Sequence, residues 1–195
     1  NKMAKEGKDY FEILKKDYSK ISTITSNCTS SVNSEAESWK QYDERWGGKY
    51  IGSKTIKEVG CMITSASIQI ARSGTQINVS DFNPGVFMET IKANGAFNNN
   101  SRDNMSDSTW SSIAPNFKLG GQVSFSGNKG EKINQMKEYT TGNNYLIVRL
   151  YHPGQHWVAI TGIEGDKVMM ADPGSTATEF TSKYDISTVT KGYYF

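Results

Sequence analysis

Apolar residues recur at helical spacing in Met62, Ile63, Ala66 and Ile70, just after a Gly60-Cys61 step. That pattern predicts a helix with one buried face and with Cys61 on its first turn. Asn83-Pro84 opens a second helix that runs to about Ala93, Ser111 to Ala114 predicts a short one, and Gly130 to Tyr139 a third. Runs rich in β-branched and apolar residues predict strands at Gln122 to Ser126, Tyr145 to Tyr151, Trp157 to Ile163, Val168 to Ala171 and Gly192 to Phe195. The cluster Glu164-Gly165-Asp166-Lys167 is a turn, so the strands on either side of it form a hairpin. At the front, Tyr10, Ile13, Leu14 and Tyr18 fall on one face of a lysine-rich helix over Lys2 to Lys20, followed by a Ser/Thr/Asn-rich linker from Ile21 to Ser38. Helices come mostly first and strands mostly last. The expected fold class is therefore α+β, with helices on one side of an antiparallel sheet and a cleft between the Cys61 helix and the His156 strand. Residues 1–38 read as a tether from an upstream domain or a helix that docks onto the body, and residues 39–195 as one domain.

Composition narrows the choice of function. The 195 residues carry a net charge of +2 with lysines scattered along the chain, which gives no electrostatic footprint for nucleic acid. No apolar run approaches the ~20 residues needed to cross a bilayer, and Asn1 is followed by no signal-peptide pattern. A chain starting at Asn1 reads as a processed or excised piece of something longer. There is no phosphate-cradling glycine loop after a strand and no Cys-x-x-Cys pair. The two histidines, separated by a Pro-Gly turn, make a poor metal site. Neither a metal nor a cofactor is expected.

The chemistry concentrates in three places. Cys61, at a helix start, meets unpaired backbone N–H groups and the positive end of the helix dipole, which favour the nucleophilic thiolate. The alternative for a lone cysteine is a small buried hydrophobe. Both histidines, His152 and His156, lie in one segment. His156 stands at a strand entry, where an imidazole is held rigidly at a cleft edge, whereas His152 precedes Pro153-Gly154 in a turn; His156 is the expected base and His152 a rim residue. The hairpin carries Asp172 back toward His156, where its carboxylate could hold the imidazole tautomer, although Asp172-Pro173-Gly174 is also a strong turn former in its own right. Cys28, in a polar stretch, could pair with Cys61 in a disulfide, which would silence the thiol.

Four segments together resemble the papain-like cysteine peptidases, and within them the bacteriocin-processing-peptidase-like branch of bacteria. They are Gln41-Tyr42-Asp43-Glu44-Arg45-Trp46, Thr55-Ile56 through Gly60-Cys61, His156-Trp157-Val158 with Thr161-Gly162, and Ala171-Asp172-Pro173. Their order is that of the family, and the similarity spans roughly Trp39 to Phe195. The resemblance implies a papain-like fold and a Cys-His-Asp triad that cleaves amide bonds without a cofactor. It also implies that Gln41 donates an amide N–H to the oxyanion, together with the Cys61 backbone N–H. Gln41 precedes Cys61 by twenty residues, farther than in papain-type enzymes, so a loop from Gly47 to Glu58 must fold out between them. Gln155, beside the base, is a rival donor. Asp43 is expected to cap local N–H groups, and Trp46 and Trp157 to pack near the cleft. The substrate implied is a peptide or a peptidoglycan peptide, met outside the membrane or at the surface of a bacterium. A binding module that has lost turnover and an acyltransferase using the same triad are alternatives.

Overall fold

The computed structural model describes residues 35–97, 106–151 and 153–195. The helix expected over Lys2 to Lys20, most of the linker, Cys28 and His152 lie outside these residues. Glu35 to Ser38, read from sequence as the end of the linker, pack against the body: Ala36 is fully buried beside Trp39, and Glu37 accepts a hydrogen bond from Arg72 at 2.7 Å.

A small hairpin of β1 (Tyr50–Ile51) and β2 (Lys54–Thr55) leads into one turn of helix, α1 (Ile56–Val59). This is the loop that the Gln41 to Cys61 spacing requires. Gly60 separates α1 from the long helix α2 (Cys61–Arg72), and α3 (Pro84–Ala93) and α4 (Asp107–Trp110) follow. The starts of α1 and α3 obey local capping rules. Asn83 accepts from the Gly85 and Val86 N–H groups with Pro84 in the first turn of α3, and the Glu58 carboxylate reaches back to the Thr55 N–H before α1. Helix α4 sits earlier than the expected Ser111 to Ala114, because Ser106 precedes it as cap residue and Asp107 anchors the Leu119 N–H at 2.6 Å. Residues 111–113 are only a turn.

The main sheet is antiparallel and contains β3 (Gly121–Ser124), β4 (Leu146–Tyr151), β5 (Gln155–Glu164), β6 (Lys167–Ala171) and β7 (Lys191–Tyr194) in the order β3-β7-β4-β5-β6. Strands β5 and β6 form the expected hairpin, with Glu164 paired to Lys167 and a register shift between Ile160 and Gly162. Gly165 turns it at a φ of 58°, in the left-handed region that suits glycine.

Both faces of the sheet are covered, which corrects the expectation of helices on one side. Ile147, Trp157, Ala159 and Ala171 join the core under α2, α3 and α4, whereas Leu146, Val148, Val158, Ile160 and Met170 pack on the other face. That second face is closed by Ile133 and Met136 of α5 (Lys129–Glu138) and by Phe180 and Ile186 of two 3₁₀ turns, Phe180–Ser182 and Ile186–Thr188. Lys132 of α5 is buried and donates to the carbonyls of Ser187 and Val189 at 2.7 and 2.8 Å, tying helix to turn. Each large apolar side chain buried in these layers contributes about 1.5–3 kcal/mol. Among the described residues no helix is long and apolar enough to cross a membrane.

Candidate active site

Helix α2 lies along β5 in the same direction, and three polar side chains clamp the two together. Ser65 donates to the Trp157 carbonyl at 3.2 Å, Gln69 to that of Ile160 at 2.8 Å, and Arg72 to that of Thr161 at 2.8 Å. Cys61 to Arg72 rises roughly 16 Å at helical pitch, and His156 to Thr161 spans about the same at strand pitch. The two rails therefore keep step, and the first residue of the helix meets His156 at the strand entry. Cys61 carries a free thiol, half-buried, and it stands close enough to the His156 ring to favour the protonated imidazole.

His156 is turned to Asp172 through Nε2, at 2.7 Å from Oδ1. The thiol is thus left to meet the other ring nitrogen. Asp172 follows β6 directly, and because Ala171 pairs with Ala159, its carboxylate reaches diagonally back to the strand entry. The carboxylate is completely buried. Besides His156 it accepts from the Gly174 N–H at 2.7 Å on Oδ1, and from the Ser175 hydroxyl at 2.5 Å and the Tyr184 hydroxyl at 2.7 Å on Oδ2. Burial alone would favour its neutral form, but the bonds from His156, Ser175 and Tyr184 outweigh it and hold the carboxyl well below the usual carboxylate range. For His156, burial works against the proton, while the bond to Asp172 and the contact with Cys61 raise the imidazole to about 9. Burial and the neighbouring Asp172 carboxylate push Tyr184 up, so its hydroxyl stays a donor.

The walls of the site come from the loop after β6 and from the entry segment. A Cβ at Gly174 would stand 3.1 Å from Cε1 of His156, so the bare backbone there approaches the imidazole closely. The Tyr184 ring centroid lies 5.9 Å from that of His156 on another side. The Gln41 backbone N–H donates to the Pro173 carbonyl at 2.9 Å, and the adjacent Lys40 ammonium donates to the Asp172 carbonyl at 2.9 Å. Burial pushes the Lys40 ammonium below its ordinary value, with the Asp172 carboxylate opposing.

Gln41 is thereby pinned between the Asp172 loop and the approach to α2. Its Nε2 donates to the Lys57 carbonyl in α1 at 2.8 Å, which leaves a second N–H on that nitrogen, and its Oε1 is buried with no hydrogen-bond partner. Gln155 lies exposed at the start of β5. Asp43 accepts from the Arg45 backbone N–H at 2.9 Å and from its guanidinium, a local cap. Trp46 is buried with its indole N–H on the Lys40 carbonyl, and Trp157 is buried in the core under α2.

The structure therefore brings Cys61, His156 and Asp172 into one chain of contacts and sets Gln41 beside them. Sequence reasoning did not find Lys40, Ser175 or Tyr184. Ser175 had a local signal, since Asp172-Pro173-Gly174-Ser175 allows a hydroxyl to return to the turn aspartate. Tyr184 and Lys40 reach Asp172 across loops and had none. Among the described residues no three His, Cys, Asp or Glu side chains are placed to hold a metal ion. Comparison of the chain with protein-family models, with curated proteins and with solved structures gives no match in any of the three.

Proposed function

We propose that the protein is a papain-like cysteine peptidase, a hydrolase of peptide or peptidoglycan-peptide amide bonds that acts outside the membrane or at the surface of a bacterium. The observation that carries this reading is His156 held between a free thiol and a buried, fully hydrogen-bonded carboxylate. A packing cysteine needs no imidazole, and a binding module needs no triad.

In the first half-reaction the Cys61 sulfur attacks the carbonyl carbon while the His156 imidazolium delivers its proton to the leaving nitrogen. The C–N bond breaks, an amine departs, and a thioester remains. In the second, water attacks the thioester carbon, His156 takes a proton from it, and the acid departs as the sulfur is released. Asp172 keeps the imidazole oriented throughout and remains ionised. The second N–H of Gln41 Nε2 and the Cys61 backbone N–H stabilise the oxyanion, the kind of donor whose removal costs ~10²–10³ in rate.

Iodoacetamide at mildly acidic pH, followed by mass measurement, is expected to label Cys61 well ahead of Cys28. Purified protein should release new amines from casein or from wall sacculi, Cys61→Ala should release none, and activity should fall as the pH rises through about 9, where His156 loses its proton. Equal labelling of the two cysteines, or amine release that survives Cys61→Ala, would reject the reading. Sacculi bound by both proteins and cut by neither would assign the cleft to binding alone.

A further inference from the structure

A cationic patch with no carboxylate partner among the described residues lies on the sheet face that α2 covers. In the sheet register Lys191 of β7 stands directly opposite Arg149 of β4, and Arg149 directly opposite Trp157 of β5. Like charges opposed on adjacent strands repel and are destabilising. Among the described residues no carboxylate forms an ion pair with either cation. Among the described residues the Arg149 guanidinium donates to the Thr190 hydroxyl alone, at 3.2 and 3.3 Å, and it lies 5.5 Å from the ring centroid of the exposed Tyr151. The Lys191 ammonium lies 5.7 Å from the Trp157 centroid and 5.8 Å from that of Tyr193, over two rings stacked at 5.5 Å and 17°. The aromatic faces partly compensate the ammonium, and no described residue neutralises either cation.

The position of the patch gives it a partner. Trp157 follows His156 in the chain, and its carbonyl is held by Ser65, one turn after Cys61 on α2. Arg149 stands opposite Trp157, so the patch lies within a few residues of the thiol and its base, where a bound peptide would pass.

We infer that the peptides this site takes carry a carboxylate near the scissile bond, bound by Arg149 and Lys191 beside the Trp157–Tyr193 stack. The inference rests on the amide-hydrolase reading for what is done to the ligand, and on the sheet register for where the ligand's charge goes. A side-chain carboxylate and a free C-terminus share this chemistry.

The test titrates short peptides that differ only in Glu against Gln, each with a free or an amidated C-terminus, against Cys61→Ala protein by fluorescence polarisation. Acid-bearing peptides should bind roughly tenfold tighter at low salt, as expected of hydrogen bonds to a charged group, and the advantage should shrink at high salt. It should also be lost when Arg149→Gln or Lys191→Gln is added to Cys61→Ala, each variant being checked for native circular dichroism. Whether the advantage follows Glu or the free C-terminus tells the two sources apart. Wild-type protein then cuts the same peptides, and the acid-bearing ones should be cut faster. Equal affinity for all four peptides, or a preference that survives both substitutions, overturns the inference. Cys61-dependent cleavage without any acid preference overturns it alone and leaves the hydrolase reading standing. An Arg149- and Lys191-dependent acid preference with no cleavage sinks the hydrolase reading and keeps the carboxylate site.

Discussion

The Asp172 carboxylate has room for about four hydrogen bonds, and His156, Gly174, Ser175 and Tyr184 occupy it. A carboxylate so saturated is a fixed anion and not a proton acceptor, which limits its part to orienting and stabilising the imidazolium. Tyr184 is accordingly a positioning residue that acts through Asp172. Tyr184→Phe should lower kcat about tenfold with KM little changed, as expected for loss of a hydrogen bond to a charged group. Because one of the bonds that hold Asp172 ionised is gone, the acid side of the pH–activity profile should also move upward. An unmoved acid limb together with an unchanged kcat would rule this role out. The contrast with Cys61, His156 and Asp172 explains what was legible at this scale. Each of those three sits on a local signal, a helix start, a strand entry or a turn, whereas Lys40 meets Asp172 across 132 residues of chain and leaves no pattern in it.

At the scale of elements, α2 and β5 were both readable from periodicity, but their parallel alignment was not, since it depends on side chains that look like ordinary polar residues in a helix. Gln69 is the clearest case. It is fully buried, and its Nε2 donates to the carbonyls of Leu146 and Ile160 while its Oε1 accepts from Arg72. Gln69→Ala strands those carbonyls at about 1–3 kcal/mol for each buried group left unsatisfied. The melting temperature should drop by several degrees, and iodoacetamide should react more slowly with Cys61 as the rails lose step. Gln76→Ala, at an exposed position, is the control and should change neither. If Gln69→Ala melts like wild type, the clamp is not what aligns helix and strand. The second covered face had its own trace in the sequence. Leu146-Ile147-Val148 is a contiguous apolar run, as suits a strand buried on both sides, and not the alternation of a sheet with one wet face.

For the molecule as a whole, the site couples stability to pH. Folding raises His156 from its ordinary value near 6.5 to about 9, so the folded protein holds that proton more tightly than the unfolded chain. The resulting stabilisation is complete below pH 6.5 and is lost as the pH climbs through about 9; it amounts to roughly 3 kcal/mol. Asp172, held low, acts in the opposite sense: its contribution is present above the ordinary carboxylate range and fades as the pH falls below it. Thermal melts should therefore be flat between about pH 4 and 6.5 with respect to these two groups and decline on the alkaline side. His156→Ala should flatten that decline, and an equally steep one in the variant would assign it to other groups.

The strand order sets a sequence in time. β7 runs between β4 and β3, and the backbone pairing of β3 within the sheet is with β7 alone. Strands β4, β5 and β6 are consecutive hairpins and can zip locally, but β3 has nothing to dock on until residues 191–194 arrive, a closure across roughly 70 residues. During synthesis the Cys61 helix is made long before its base, and the layer it rests on is completed by β7, which follows both. The order of assembly thus keeps the thiol without a partner until His156 and the sheet that holds it have been made.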